Sequence, residues 1–129
     1  MKIYTKSGDK GKTSVYGGTR EYKDSARIEV LGDLDEFTST VGLLRTKLSE
    51  DHEWQMPLQQ IQIDMMDMMS HLSRPSSDKS TRENKNAKPI GGASFCEKWI
   101  DEMEGKIKSP SIYFLLPGGN EISALCHVC

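Results

Sequence analysis

Between Val30 and Leu48 the apolar positions Val30, Leu34, Phe37, Val41, Leu44 and Leu48 follow one another in alternating steps of four and three. That spacing lays all six side chains along one stripe of a helix, the seam of a packed bundle. Gly32 and Gly42 lie inside it, each costing about 1 kcal/mol against alanine. Such glycines are expected to admit a close neighbour rather than to break the helix. A second helix is predicted from Pro57 to Leu72, because Leu58, Ile61, Met65, Met68 and Leu72 repeat the same steps. Met65, Met66, Met68 and Met69 are expected to fill an irregular core rather than to hold a soft metal.

Residues 74–89 are polar and aperiodic, with proline, serine, asparagine and both signs of charge, and read as a flexible surface loop. A third helix is predicted from Ala93 to Ile107, with Phe95, Trp99, Met103 and Ile107 on one stripe and Ser109-Pro110 ending it. Ile112 to Leu116 is too short for a core helix, and Pro117-Gly118-Gly119 stops it. Asn120 then offers an N-cap and Glu121 a first-turn acid, and Ile122, Leu125, Cys126 and Cys129 begin a fourth amphipathic helix with no stop signal. Cys126 and Cys129 share its apolar face and read as core thiols. The expectation is one all-α domain over residues 1–129, a helical bundle.

Composition narrows the function classes. A net charge of −2 with no long basic run excludes a nucleic-acid binder. No apolar stretch approaches the roughly 18 residues of a membrane span, and the first residues lack the apolar run of a signal peptide. An odd count of three cysteines fits reduced thiols in the cytoplasm better than a disulfide framework. Cys126, His127 and Cys129 lack the second ligand pair that a tetrahedral zinc site needs.

The chemistry concentrates at the start. Tyr4-Thr5-Lys6-Ser7-Gly8-Asp9-Lys10-Gly11-Lys12-Thr13-Ser14 combines glycines that let backbone N–H groups approach an anion, lysines that supply charge, and hydroxyls that can donate to phosphate or hold magnesium. It reads as a triphosphate cradle at the head of an extended segment. Gly11-Lys12-Thr13 matches the end of a Walker loop, but Lys6 stands where that motif requires glycine, and too little chain precedes it for the buried strand.

Three further runs follow in order: Lys23-Asp24 with Arg27, Gly32-Asp33-Leu34-Asp35-Glu36-Phe37, and Phe114-Leu115-Leu116-Pro117-Gly118-Gly119. Together with the cradle they resemble the PduO-type ATP:cob(I)alamin adenosyltransferases, over residues 2 to 128. The resemblance implies a ferritin-like up-down five-helix bundle, a homotrimer with sites between subunits, and transfer of the 5′-deoxyadenosyl group of ATP to cob(I)alamin. It implies ATP and cobalamin as substrates, with Mg2+ the default companion of a triphosphate. A cobalamin reductase or an adenosylcobalamin-dependent enzyme is a possible protein partner.

Carried over residue by residue, the resemblance gives Thr5, Lys6, Ser7 and Gly8 to the triphosphate, with Thr13 and Ser14 as hydroxyl donors and Lys23 as a further cation. Asp9 and Gly11 shape the turn. Arg27 either reaches phosphate or pairs with Glu29 or Asp24. Asp35 matches an acid that makes an ion pair across a subunit contact, and is otherwise a surface carboxylate. Phe114 matches an aromatic on the corrin side that helps displace the lower axial ligand of cobalt, and is otherwise a core phenylalanine. The family stretch resembling Leu125 to Cys129 runs on into an arginine-rich helix that these 129 residues do not include. The expectation is therefore a truncated form, and the alternative to an active enzyme is an impaired nucleotide- or corrinoid-binding module.

Overall fold

The computed structural model describes residues 6–74, 92–108 and 113–129. Thr5, the loop expected over 74–89 beyond Arg74, and the Ser109-Pro110 helix stop lie outside these residues. Four helices and one small sheet are described: β1 (Lys12–Ser14), β2 (Arg20–Tyr22), α1 (Ala26–Thr46), α2 (Gln55–Leu72), α3 (Gly92–Glu104) and α4 (Glu121–Val128). The fold is mostly helical, as the periodicity predicts. The start is not simply extended, however. It is a run of turns followed by an antiparallel hairpin, with Lys12 opposite Tyr22, Thr13 opposite Glu21 and Ser14 opposite Arg20.

Helix α1 begins where Ser25, in extended backbone geometry, accepts a hydrogen bond from the Ile28 N–H at 3.4 Å, satisfying one otherwise orphaned donor. At α4 Asn120 does the same for the Ser123 N–H at 2.8 Å. Pro57 sits in the first turn of α2, where no intrahelical donor is lost.

α1 and α2 run antiparallel, since contacts that step back along α1 step forward along α2. Arg45 Nε donates to Gln55 Oε1 (3.0 Å), Arg45 Nη1 donates to Gln62 Oε1 (2.7 Å), and Gln62 Nε2 donates to the Thr38 carbonyl (2.9 Å). Gly42 permits this clasp, because a Cβ there would stand 3.2 Å from Gln62 Nε2. Gly32 has open space around it, so the expected close helix contact occurs at only one of the two glycines.

The core is Val41, Leu44, Leu48 and Leu58, with Phe37, Trp54, Ile61, Trp99, Ile122 and Leu125 packed on its margin. The predicted seam is thus fully covered only along its C-terminal half, and Val30 at its start is 44% exposed. α3 reaches the core through Trp99, whose ring meets Trp54 edge-on at 6.4 Å, and Lys106 ties its end to Glu53 at 2.7 Å. Ile107 lies beyond α3 and is exposed, which removes it from the expected stripe. Met66 also faces outward, while Met65, Met68 and Met69 are half-buried. Cys126 and Cys129 are exposed, correcting the reading of them as core thiols; with so short a helix, only Ile122 and Leu125 reach the core margin.

Candidate functional site

The hairpin is built by its glycines. Gly17 and Gly18 both hold positive φ (84° and 81°), a region closed to most side chains, and the turn closes with Gly18 N–H donating to the Val15 carbonyl at 3.1 Å. Val15 is buried, and strand alternation directs Thr13 to the same side while Lys12 and Ser14 take the other. The turn is anchored to the end of α2, where the Tyr16 N–H donates to the Ser73 carbonyl at 3.1 Å and the Arg74 guanidinium stands 5.4 Å from the Tyr16 ring centre.

Ahead of the hairpin, the loop from Lys6 to Gly11 folds back on itself. The Gly11 N–H donates to the Gly8 carbonyl (3.2 Å), the Asp9 N–H approaches the Lys6 carbonyl (3.4 Å), and the Lys23 N–H donates to the Gly11 carbonyl (2.9 Å). Gly11 holds φ 75°, and Lys6 holds φ 56°. For a lysine that left-handed geometry is uncommon, and such backbone strain clusters at ligand sites. The Lys23 side chain lies along Gly8, its Nζ 3.4 Å from where a Cβ at Gly8 would stand. Two residues fifteen apart in sequence, both assigned to the triphosphate, therefore meet across the hairpin.

The segment from Lys6 to Lys23 carries five cationic side chains against two carboxylates, in a chain whose net charge is −2. Such a local excess draws anions to this end of the molecule. Lys12 is partly engaged already, its Nζ 4.4 Å from the Tyr22 ring centre. Arg27 pairs with neither Glu29 nor Asp24, the partners expected of it. Its Nη1 donates to Glu21 at 2.7 Å, and the Ser25 hydroxyl reaches the same carboxylate, so this network fastens β2 to the start of α1.

The other expected site residues stand apart from this cluster. Asp35 is exposed on α1 and has no ion-pair partner among the described residues. Phe114 is fully exposed, with Leu116 at 92% and Leu115 at 71% beside it, and Gly118 and Gly119 follow at φ 142° and 89°. An exposed ring excludes the alternative of a core phenylalanine in this chain.

Three concavities lie elsewhere. One of about 570 Å³ at the α1–α2 turn is lined by Arg45, Asp51, His52 and Gln59, one of about 320 Å³ by Trp54, Ile122 and Cys126, and one of about 360 Å³ by Ile61, Met65, Met68 and Cys96. None includes a motif residue. A triphosphate held by backbone N–H groups and cations needs no enclosed apolar cavity, so the open loop remains the better candidate. Desolvation by the groups beside it pushes the exposed Cys129 thiol above its usual range, with Cys126 adding to the effect.

Arg20 was not singled out by sequence, yet its Nη2 donates to the carbonyls of Ser7 (2.6 Å) and Lys12 (3.1 Å), one on each side of the glycine turn. The partners are main-chain oxygens, which every residue supplies, so no side-chain pattern marks them.

The chain is similar over 98% of its length to two solved PduO-type ATP:corrinoid adenosyltransferases from Lactobacillus reuteri. A phenylalanine-to-alanine variant, complexed with cobalamin and ATP, matches with a TM-score of 0.83 at 30% identity and is covered over 69% of its length. An arginine-to-lysine variant, complexed with ATP, matches with a TM-score of 0.80 at 29% identity. By sequence it is 35% identical to the human corrinoid adenosyltransferase MMAB over 99% of this chain and 52% of that one, and 34% identical to the corrinoid adenosyltransferase of Bacillus subtilis over 99% of this chain and 64% of that one. The chain spans about half the length of the mammalian relatives it matches. A family model for cobalamin adenosyltransferase matches residues 3–129, and with the cradle, the helices and the aromatic-proline-glycine run all falling within that match, the chain belongs to the cobalamin adenosyltransferase family.

Proposed function

We propose that the chain is an ATP:cob(I)alamin adenosyltransferase, which transfers the 5′-deoxyadenosyl group of ATP to cob(I)alamin and releases tripolyphosphate. The observation that carries this reading is the folded loop at Lys6 to Gly11, with Lys23 laid along Gly8. Cob(I)alamin, as substrate, supplies a nucleophile with no proton to remove; the cobalt–carbon bond forms as the bond from the 5′-carbon to the phosphate oxygen breaks. The protein's task is positioning, stabilising charge on the departing triphosphate and excluding water. In this reading Thr5, Lys6, Ser7 and Gly8 wrap the triphosphate, Thr13 and Ser14 are the candidate hydroxyl donors, one from each face of β1, and Lys23 neutralises it.

The donor set fits magnesium held chiefly by phosphate oxygens and water. Hydroxyls are at hand, and Asp9 is the lone acid of the loop, which suits a metal carried in with the nucleotide better than a protein cage. Phe114 is assigned to the corrin side and Asp35 to a subunit contact. A homotrimer is supported by apolar surface that stays exposed among the described residues: Met56, Ile63 and Met66 form an exposed stripe on α2, and Val30 is exposed on α1. All three cysteines are free, which supports the reducing cytoplasm, and no described helix is long and apolar enough to cross a membrane.

The test is adenosylcobalamin formation from ATP and chemically reduced cobalamin. Product with tripolyphosphate in equal amounts supports the proposal; no product, with ATP binding intact, favours the binding-module alternative; no ATP binding refutes the placement of the triphosphate.

A further inference from the structure

We infer that Arg20 is a positioning residue for the nucleotide loop, a brace that sets the width of the turn rather than a cation that touches phosphate. This rests on the reading of that loop as the triphosphate site. The glycine turn is held at two points, by Arg20 of β2 and by Lys23 just after it. On one side the Lys23 N–H donates to the Gly11 carbonyl at 2.9 Å. On the other, the two N–H bonds of one guanidinium nitrogen reach the Ser7 carbonyl at 2.6 Å and the Lys12 carbonyl at 3.1 Å. Ser7 and Lys12 flank Gly8 to Gly11, so Arg20 closes the mouth of the turn from outside.

Two consequences follow from the chemistry. First, Arg20 engages carbonyl oxygens, which point away from an anion; with the Asp9 and Gly11 N–H groups bonded inside the turn, the N–H groups of Gly8 and Lys10 are the ones left for the ligand side. Second, the contacts are solvent-exposed, so water replaces the guanidinium when it is removed and the fold survives. What is lost is the pre-set spacing, and a loop that must be ordered on binding binds more weakly.

The test is titration of the 129-residue chain and its variants with ATP alone, paired with amide hydrogen exchange over residues 7–12 without nucleotide. Arg20→Ala is expected to weaken ATP binding by about five- to tenfold, the loss appropriate to two exposed hydrogen bonds, and to speed exchange in the turn while leaving α1 unchanged. Arg20→Lys keeps the charge but replaces the planar fork by a flexible single nitrogen, and is expected to recover less than half of the lost affinity. Complete recovery in Arg20→Lys overturns the brace in favour of simple charge. Unchanged affinity together with unchanged exchange in Arg20→Ala overturns it outright. A parent chain that binds no ATP overturns the triphosphate reading instead, and the exchange rates then still decide whether Arg20 braces the turn.

Discussion

Truncating Phe114 to alanine separates stability from ligand contact more cleanly than any other substitution in this chain. The ring is fully exposed at 107%, so Phe114→Ala removes no buried area and is expected to move folding stability by less than about 0.5 kcal/mol, the ordinary range for a surface change. If the ring is covered by a corrin, its burial on binding contributes about 1.5 to 3 kcal/mol. That converts to roughly ten- to a hundredfold weaker corrinoid binding. ATP affinity is expected to hold, because Phe114 packs on nothing in the nucleotide loop. Three measurements decide it: thermal unfolding of parent and variant, calorimetric titration with ATP, and titration with cob(II)alamin in the presence of ATP, followed by electron paramagnetic resonance of the cobalt. A four-coordinate cobalt signal formed as fully and at the same corrinoid concentration as in the parent refutes the corrin-side assignment. A fall of several degrees in melting temperature refutes the exposure argument, since only a packed ring can cost that much.

Lys6→Ala is expected to weaken ATP binding by about 1.5 to 3 kcal/mol, the range for a hydrogen bond to a charged group, and since alanine carries the same left-handed strain as lysine at φ 56°, the loss reports the ammonium and not the backbone; unchanged calorimetric affinity in a folded variant moves the triphosphate elsewhere. Leu44→Ala removes a side chain that is 2% exposed at the centre of the core and is expected to cost about 2 to 5 kcal/mol in urea unfolding, with a loss under about 1 kcal/mol counting against the core assigned here. The Lys106 ammonium beside Glu53 holds that carboxyl below its ordinary 4.5 through a hydrogen bond and direct charge attraction. A depressed folded-state value means the contribution is present above 4.5 and is lost as pH falls through the lowered value, so the parent should lose its stability advantage over Glu53→Gln on acidification; an advantage that does not shrink as pH falls below 4.5 refutes the linkage.

Periodicity finds buried faces, and its successes and failures here follow from that. It located α2 within two residues of its observed start, because Leu58 and Ile61 face the core from the first turns. It started α1 at Val30, four residues late, because the first turn from Ala26 is held by the Ser25 cap and by Arg27 rather than by burial. Ser25, three positions before Ile28, was the available signal. It ended α3 at Ile107, where Gly105 stops the helix at Glu104. A glycine just past a periodic run is a stop signal that outranks one more apolar residue. Nor does spacing measure coverage: Val30 and Val41 occupy the same stripe, and one is 44% exposed while the other is 1% exposed. The hairpin escaped notice because its strands have three residues each and no apolar alternation. Gly17-Gly18 between them was the one legible sign of it.

The candidate site was legible to the extent that its chemistry resides in side chains. Lys6, Thr13 and Ser14 stand out by residue type as candidates for a triphosphate, whereas Lys23 and Phe114 are singled out only by the family resemblance. What sequence does not reveal is the scaffold made by main-chain groups: the carbonyls of Ser7 and Lys12 that Arg20 gathers, and the carbonyl of Gly11 that Lys23 fixes. Those bonds turn a string of flexible residues into a turn of set width. The division also has a spatial form. The buried cluster of Val41, Leu44, Leu48 and Leu58 lies toward the α1–α2 turn, whereas the hairpin is pinned to Ser73 and Arg74 at the opposite end of α2. Packing is therefore concentrated at one end of α2 and the residues proposed for the triphosphate lie at the other. A strained lysine and an array of exposed cations are tolerable near the hairpin because the packing that holds the helices together does not depend on them.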